Sequence, residues 1–223
     1  SCMKRRKLLI FGNSILAKVM LFYFQRDSSY DVVGFTVDKK YISDASFCDL
    51  QVFSFDDIEK THPKSDFEIF VAIGPTKMNA LREEVYKRVK SKGYNCATYI
   101  SPHAICDSPL GENCFVGDMT IINPFVKIGY NNFFFEKVFI ANDSIIENNC
   151  YFSPLSTIGT FSEINSNCLL GTGSIVKTSV KIAEKTLIGA SSYISRNSKV
   201  NGVYAQRSAE FIAENSIKIN ISS

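Results

Sequence analysis

The chain has 223 residues, is 45% hydrophobic, and carries 25 Lys and Arg against 22 Asp and Glu, a net charge of +3. That length supports one or two domains with a sizeable core, and scattered charge argues against a nucleic-acid binder, which would favour a clustered basic stripe. No apolar run reaches membrane-spanning length, and residues 8–11 are too short for the apolar part of a signal peptide, so a cytoplasmic protein with no membrane partner is expected.

Ser1-Cys2 ahead of Met3 reads as a leftover of expression, and Lys4-Arg5-Arg6-Lys7 as a solvated basic terminus. Residues 7–11 (Lys-Leu-Leu-Ile-Phe) then predict a buried strand, and Gly12-Asn13-Ser14 a tight turn. Ile15, Val19, Phe22 and Tyr23 recur at helical spacing over residues 15–26. A second strand over 31–37 ends at Asp38. A short strand over 50–53 follows, with Ser54 placed to cap a short helix. Residues 67–73 form a strongly apolar strand, and Gly74-Pro75-Thr76 turns the chain. Residues 77–92 predict a helix with Met78, Leu81, Val85 and Val89 on one face, ended by Gly93, and residues 96–100 the last strand. Strand and helix alternate, so residues 1–100 predict a Rossmann-like parallel α/β domain, closed at Ser101-Pro102.

The first turn lies where a phosphate-binding loop would sit, with backbone N–H groups at a helix start. The glycine-rich fingerprint is absent, since Ile15 and Leu16 stand where glycine is expected. Asp38, at the end of the second strand, reads either as an acceptor for a ribose or base or as a solvated turn residue.

From Leu110 to Val200 the pattern changes. Every sixth residue, through Val116, Ile122, Ile128, Phe134 and onward, is aliphatic or Phe. The residues two places earlier, such as Cys114, Thr120, Ser144, Cys150 and Ser156, are mostly small. Neither a helix nor a plain strand has this period, and a hexapeptide left-handed parallel β-helix does. Three sides of six residues make a coil of eighteen. Glycines directly after apolar positions, Gly111, Gly117, Gly129, Gly159, Gly171 and Gly189, are expected at corners for their dihedral freedom. The β-helix is expected over 101–205, with a polar, loosely held tail over 206–223. The seven cysteines show no CxxC spacing; Cys114, Cys150 and Cys168 share one inward column and read as small core residues. No metal site is expected, and the odd count suggests a reducing compartment.

Outward residues distinguish three sides. Side one presents Phe115, Phe133, Tyr151, Leu169 and Leu187; side two presents Ile121, Phe139, Thr157, Ile175 and Tyr193; side three presents Lys127, Ile145, Glu163, Lys181 and Lys199. Two apolar sides predict a homotrimer with sides one and two near the axis; the competing expectation is cover by the first domain.

Taken in order, the Gly-x-Ser turn, the Asp after the second strand, the Ala72-Ile73-Gly74 strand end and the hexapeptide prism resemble the bacterial nucleotide-sugar acyltransferases. That family includes sialic acid O-acetyltransferases and amino-sugar N-acetyltransferases of surface-glycan biosynthesis, lipopolysaccharide O-antigen among them, and the resemblance spans residues 7–205. It implies acetyl-CoA or another acyl-CoA as co-substrate in a groove between prisms. It also implies a nucleotide-linked amino sugar on the first domain. Gly12, Asn13, Ser14 and Asp38 match the nucleotide-binding turn and acidic residue, and Ile73 and Gly74 the wall of that site. Gly159, Thr160, Gly171, Gly173 and Gly189 lie on coils whose backbone holds pantetheine in the family.

The family's general base, a His followed by an acidic residue, is replaced by Asn142-Asp143, and Leu16 stands where its second histidine would be; His62 and His103 match neither. An amide is no general base at neutral pH. A hydroxyl acceptor would lose on the order of 10²–10⁴ in rate, whereas an amine of pKa about 8 is free base roughly a tenth of the time at pH 7. The expected activity is therefore amine acylation, with Asn142 orienting the reactants and Asp143 placed to take the proton. The alternatives are an O-acetyltransferase using another base and a non-catalytic nucleotide-sugar binder.

Overall fold

The computed structural model describes residues 6–212 and Glu214. Ser1, Cys2, Lys4, Arg5 and the last part of the expected tail lie outside the described residues. The first domain runs β1 (Arg6–Phe11), α1 (Ile15–Asp27), β2 (Tyr30–Val37), β3 (Ser46–Phe47), β4 (Leu50–Ser54), α2 (Ile58–Thr61), β5 (Phe67–Val71) and α3 (Ala80–Ser91). The sheet order is β3-β4-β2-β1-β5, parallel except for the β3–β4 pair. Side chains alternate across β1: Leu8 and Ile10 pack with Met20, Phe24 and Phe70, while Leu9 and Phe11 pack with Ile69, Val85 and Val89. Both faces are thus covered, as a parallel sheet requires.

Two helices differ from expectation. In α1 the buried set is Ala17, Met20, Leu21, Tyr23 and Phe24, while Ile15 is 82% and Phe22 57% exposed. Both sets repeat at helical spacing, and the sheet selects the one that includes small Ala17. Helix α3 starts at Ala80, because Lys77, Met78 and Asn79 all take left-handed backbone, φ 52°, 52° and 65°. Its inner face carries Arg82 beside Val85 and Val89, with Leu81 39% exposed. Gly93, at φ 85°, ends it with its N–H on Lys90 O, as expected.

Tyr99–Ile100 does not join the first sheet. It pairs with Phe115–Val116 and begins the prism, leaving Cys96 as a single bridge to Ile69. From there the chain winds a left-handed parallel β-helix of three sheets, with seven, six and four strands. Register advances by one coil at every pairing, as in Phe133↔Tyr151, Phe139↔Thr157 and Ile145↔Glu163. Through the middle of the prism the inward column is closed to solvent: Ile122, Ile140, Ile158, Leu170 and Ile188 are fully buried.

The corners correct one expectation. Left-handed residues fall three places after each inward apolar residue from Leu110 to Ile188, at Asn113, Met119 and Phe125 and their repeats, not directly after it. Gly173 is the glycine that occupies such a place, φ 68°. The glycines directly after apolar residues serve close approach instead. A Cβ on Gly159 would stand 2.4 Å from Thr178 N, and one on Gly171 2.5 Å from Ala190 N. The first corner carries Asn113, Asn131, Asn149 and Asn167; the second Met119, Lys137, Leu155 and Gly173; the third Phe125, Asp143, Phe161 and Ser179. Side one lies between the first and second corners, so the third corner is the edge opposite side one.

Side one is covered by the chain's own first domain, which overturns its expected place near a trimer axis. Phe115 and Phe133 are fully buried. Phe70 stacks on Phe133 at 5.6 Å between centroids, and Tyr23 meets Phe115 at 5.2 Å. The Asn113 amide accepts from Val71 N at 2.8 Å and donates to Val71 O at 3.3 Å, continuing the sheet edge into the prism. Asn113 and Asn131 each donate to the next asparagine at 2.8 Å, and Asn167 donates to Glu83 at 2.9 Å. At the second corner Arg26 forks onto Asp118 at 2.7 and 2.9 Å. Side two keeps an uncovered apolar strip, with Ile175 43% and Tyr193 54% exposed.

Candidate functional site

The carboxyl ends of β1, β2 and β5 surround a cavity of about 570 Å³. Gly12, Asn13, Ser14, Asp38, Ile73 and Gly74 all line it, together with Lys40, Tyr41, Leu81, Glu84 and Arg88. Position 12 needs glycine, because φ is 128° and a Cβ would stand 2.8 Å from Ala72 O. Its N–H is not free for an anion as expected, since it donates to Thr36 O at 3.0 Å. The helix start is freer. Ser14 takes extended backbone at the N-cap, its hydroxyl makes no capping bond, and the first turn of α1 has no acidic residue. Asn13 donates to Tyr41 O at 3.3 Å, tying this turn to the segment after β2.

Asp38 is no loose turn residue. Arg88 forks onto both of its oxygens, one bond at 3.0 Å, and the pairing raises the Arg88 pKa further. Arg88 is a cavity residue that the sequence reading did not single out. Its spacing from Leu81 and Glu84, two turns and one turn away, puts all three on the cavity side of α3 and is a usable signal.

Asn142 is half-buried and Asp143 exposed, at the third corner. Asp143 has φ 58° and is the left-handed residue of its coil. Asn142 Nδ2 donates to Asp143 Oδ2 at 2.6 Å, and Thr160 Oγ1 lies 3.5 Å from Asn142 Oδ1 on the next coil. The structure therefore brings Asn142, Asp143, Gly159 and Thr160 together. It places Gly171, Gly173 and Gly189 at the second corner, across side two. It also separates the third corner from the first-domain cavity, because that domain covers side one. Within one chain, the two halves of the expected site do not meet.

The two histidines stand apart from both halves. His62 packs between Phe53 and Phe67 at 4.2 and 4.7 Å, and burial lowers its pKa. His103 is exposed, its N–H on Ser101 Oγ at 3.0 Å. Among the described residues no cluster of three His, Cys, Asp or Glu side chains forms a metal site. Cys114, Cys150 and Cys168 are free, fully buried core thiols whose stack follows the predicted column. No described helix is long and apolar enough to cross a membrane.

A turn-and-helix cavity beside a hexapeptide prism defines the class of two-part proteins built from a Rossmann-like domain and a left-handed β-helix. Residues 7–89, most of the first domain, match the family described as PglD N-terminal domain. No curated protein matches the chain. The acetyltransferase domain of PglB from Neisseria gonorrhoeae FA1090 superposes with a TM-score of 0.80 at 17% identity, over 90% of this chain and 97% of that one. PerB from Caulobacter crescentus, in complex with CoA and GDP-perosamine, superposes with a TM-score of 0.68 at 20% identity, over 90% and 94%. A variant of the same perosamine N-acetyltransferase with a histidine replaced by asparagine, also holding CoA and GDP-perosamine, gives 0.61 at 20% identity, over 90% and 93%. The resemblance read from the sequence is thus met by a family match over residues 7–89 and by the fold of both parts.

Proposed function

We propose that the protein is an acyl-CoA-dependent N-acyltransferase, an N-acetyltransferase in its simplest form, acting on a nucleotide-linked amino sugar of bacterial surface-glycan biosynthesis. It works in the cytoplasm as a homotrimer. The observation that carries the reading is the coexistence of a nucleotide-sized cavity, lined by Gly12, Ser14, Asp38 and Arg88, with a prism corner that offers Asn142 and no histidine. Opposed placement of these halves in one chain supports a site built between copies. The cavity of one subunit faces the third corner of the next, and acyl-CoA lies in the groove beside side two. Gly159 and Thr160 come from one copy, and Gly171, Gly173 and Gly189 from its neighbour.

In this site the free amine attacks the thioester carbonyl carbon. The C–N bond forms, the C–S bond breaks, and CoA leaves as a thiolate that takes up the proton lost by nitrogen, directly or by way of Asp143. Asn142 orients the carbonyl or the amine. A near-attack geometry supplies the rate where no base is needed. The relative that holds CoA and GDP-perosamine with asparagine in place of a histidine supports an asparagine-bearing site able to bind both ligands. The test is mass spectrometry of UDP-, dTDP- and GDP-linked amino sugars incubated with acetyl-CoA and the protein. One acetyl group on the amine of at least one sugar is expected; no acylated amine from any of them sinks the reading.

A further inference from the structure

Arg82, in the first turn of α3, is fully buried. None of the ion pairs among the described residues includes it, and its Nε has no hydrogen-bond partner. Burial lowers its pKa to about 10, which leaves it charged at neutral pH. A buried cation without a counter-charge is costly, so its remaining bonds matter. Nη1 donates to Asn79 Oδ1 at 2.8 Å and reaches Ile73 O and Gly74 O at 3.4 and 3.5 Å. Nη2 donates to Asn131 O at 3.3 Å and Cys150 O at 3.2 Å, carbonyls of two successive coils. The guanidinium lies 4.5 Å from the centre of the Phe133 ring.

One side of this fork holds the wall of the cavity, Ile73 and Gly74. The other holds the prism. Asn79, which the fork grips, also donates to Cys168 O at 3.1 Å and closes the left-handed run at Lys77, Met78 and Asn79. Left-handed backbone at non-glycine residues persists only where surroundings over-determine it. A lysine could not replace the fork, because its single ammonium lacks the planar, divergent donors.

We propose that Arg82 is a positioning residue for the acceptor: it ties the Ile73-Gly74 wall to the prism coils and so fixes where the nucleotide-linked substrate sits. The inference rests on the nucleotide reading of the cavity. Calorimetric titration of the full chain and of Arg82→Lys and Arg82→Met with UDP, dTDP, GDP and CoA tests it, with thermal unfolding of each protein alongside. At least one nucleotide is expected to bind the unaltered chain. Both variants should bind that nucleotide about 10- to 100-fold more weakly, while CoA affinity stays unchanged. A merely structural role would lower the melting temperature and leave the nucleotide affinity of the folded protein unmoved. Should Arg82→Met fail to fold, Arg82→Lys carries the same comparison. Equal nucleotide affinity in Arg82→Lys and the unaltered chain overturns the inference. An unaltered chain that binds none of the three nucleotides removes the cavity reading, and the inference with it.

Discussion

The first and third corners of the prism share a backbone and differ in everything attached to it. Asn113, Asn131, Asn149 and Asn167 have φ from 54° to 61°, and Phe125, Asp143, Phe161 and Ser179 from 58° to 66°. Asparagine is among the residues that tolerate this conformation best, and a bulky side chain there is a true outlier. The four asparagines are at most 4% exposed and hydrogen-bonded within the chain. Phe125 and Phe161 are 77% and 59% exposed and gain nothing from their own chain that would offset the strain. Where this chain follows the local rule, the residue serves folding. Where it breaks the rule, as Met119 and Leu155 also do at the second corner, the coil imposes the conformation, and an exposed aromatic ring left there fits the proposed groove against a second copy.

The largest expected effect tests the first corner. Asn131→Ala strands the Asn149 carbonyl and one bond of the Asn113 amide in a buried setting, at a cost of about 3 kcal/mol. For a chain of this size that is a fall in melting temperature of about 6–12 °C, read by calorimetry or circular dichroism. A fall below about 2 °C would show the ladder to be energetically idle.

The same kind of change at the third corner should move activity and leave stability alone. Asn142→Ala removes a half-exposed amide whose strongest bond is to exposed Asp143. Its kcat/KM for the amine acceptor is expected to drop about 10- to 100-fold, with the melting temperature within about 2 °C. Unchanged kinetics in both Asn142→Ala and Asp143→Ala would move the chemistry elsewhere. In the unaltered protein, kcat/KM should climb about fivefold between pH 7 and 8 as the amine loses its proton. A titration limb near pH 6.5 would point to a histidine instead.

A smaller effect concerns the seam between the domains. Arg26 holds the Asp118 carboxylate down to about 2, with help from Ser101. A carboxylate whose folded pKa is depressed contributes stability that is complete above its unfolded value, about 3.9, and is lost as pH falls towards 2. Urea unfolding should therefore separate Asp118→Asn from the unaltered chain at pH 6 and bring the two together near pH 2. A gap that persists at pH 2 would assign Asp118 a role other than charge pairing.

How much of this was readable from residues alone follows from which forces are local. The six-residue spacing fixes the prism, since inward burial recurs whatever the surroundings. The strand and helix alternation likewise gathers Gly12, Asn13, Ser14, Asp38, Ile73 and Gly74 at one edge of a sheet, and all six line the cavity. The face of α1 was ambiguous because two residue sets share its period. Arg82 was invisible as a core residue because only the docked prism buries it. The left-handed run at 77–79 depends on that same docking. The asparagine column was legible, however, since four Asn recur at intervals of one coil from 113 to 167.

Phe125→Asn is the substitution with the smallest expected effect on the chain itself, and it sharpens the corner comparison most. It trades a strained, 77% exposed aromatic ring for the residue the first corner uses. The backbone gains a side chain suited to φ 66°, and no buried contact is lost, so folding stability should change by less than about 0.5 kcal/mol. Its effect should appear instead in assembly. If the ring lines a groove between copies, Phe125→Asn shifts dissociation of the trimer to higher protein concentration, measured by analytical ultracentrifugation over a dilution series. A chain that is monomeric with either residue would leave the exposed phenylalanine without a partner and would remove the shared site proposed for Asn142. Trimers that dissociate alike would keep the assembly and move the third corner out of its contact.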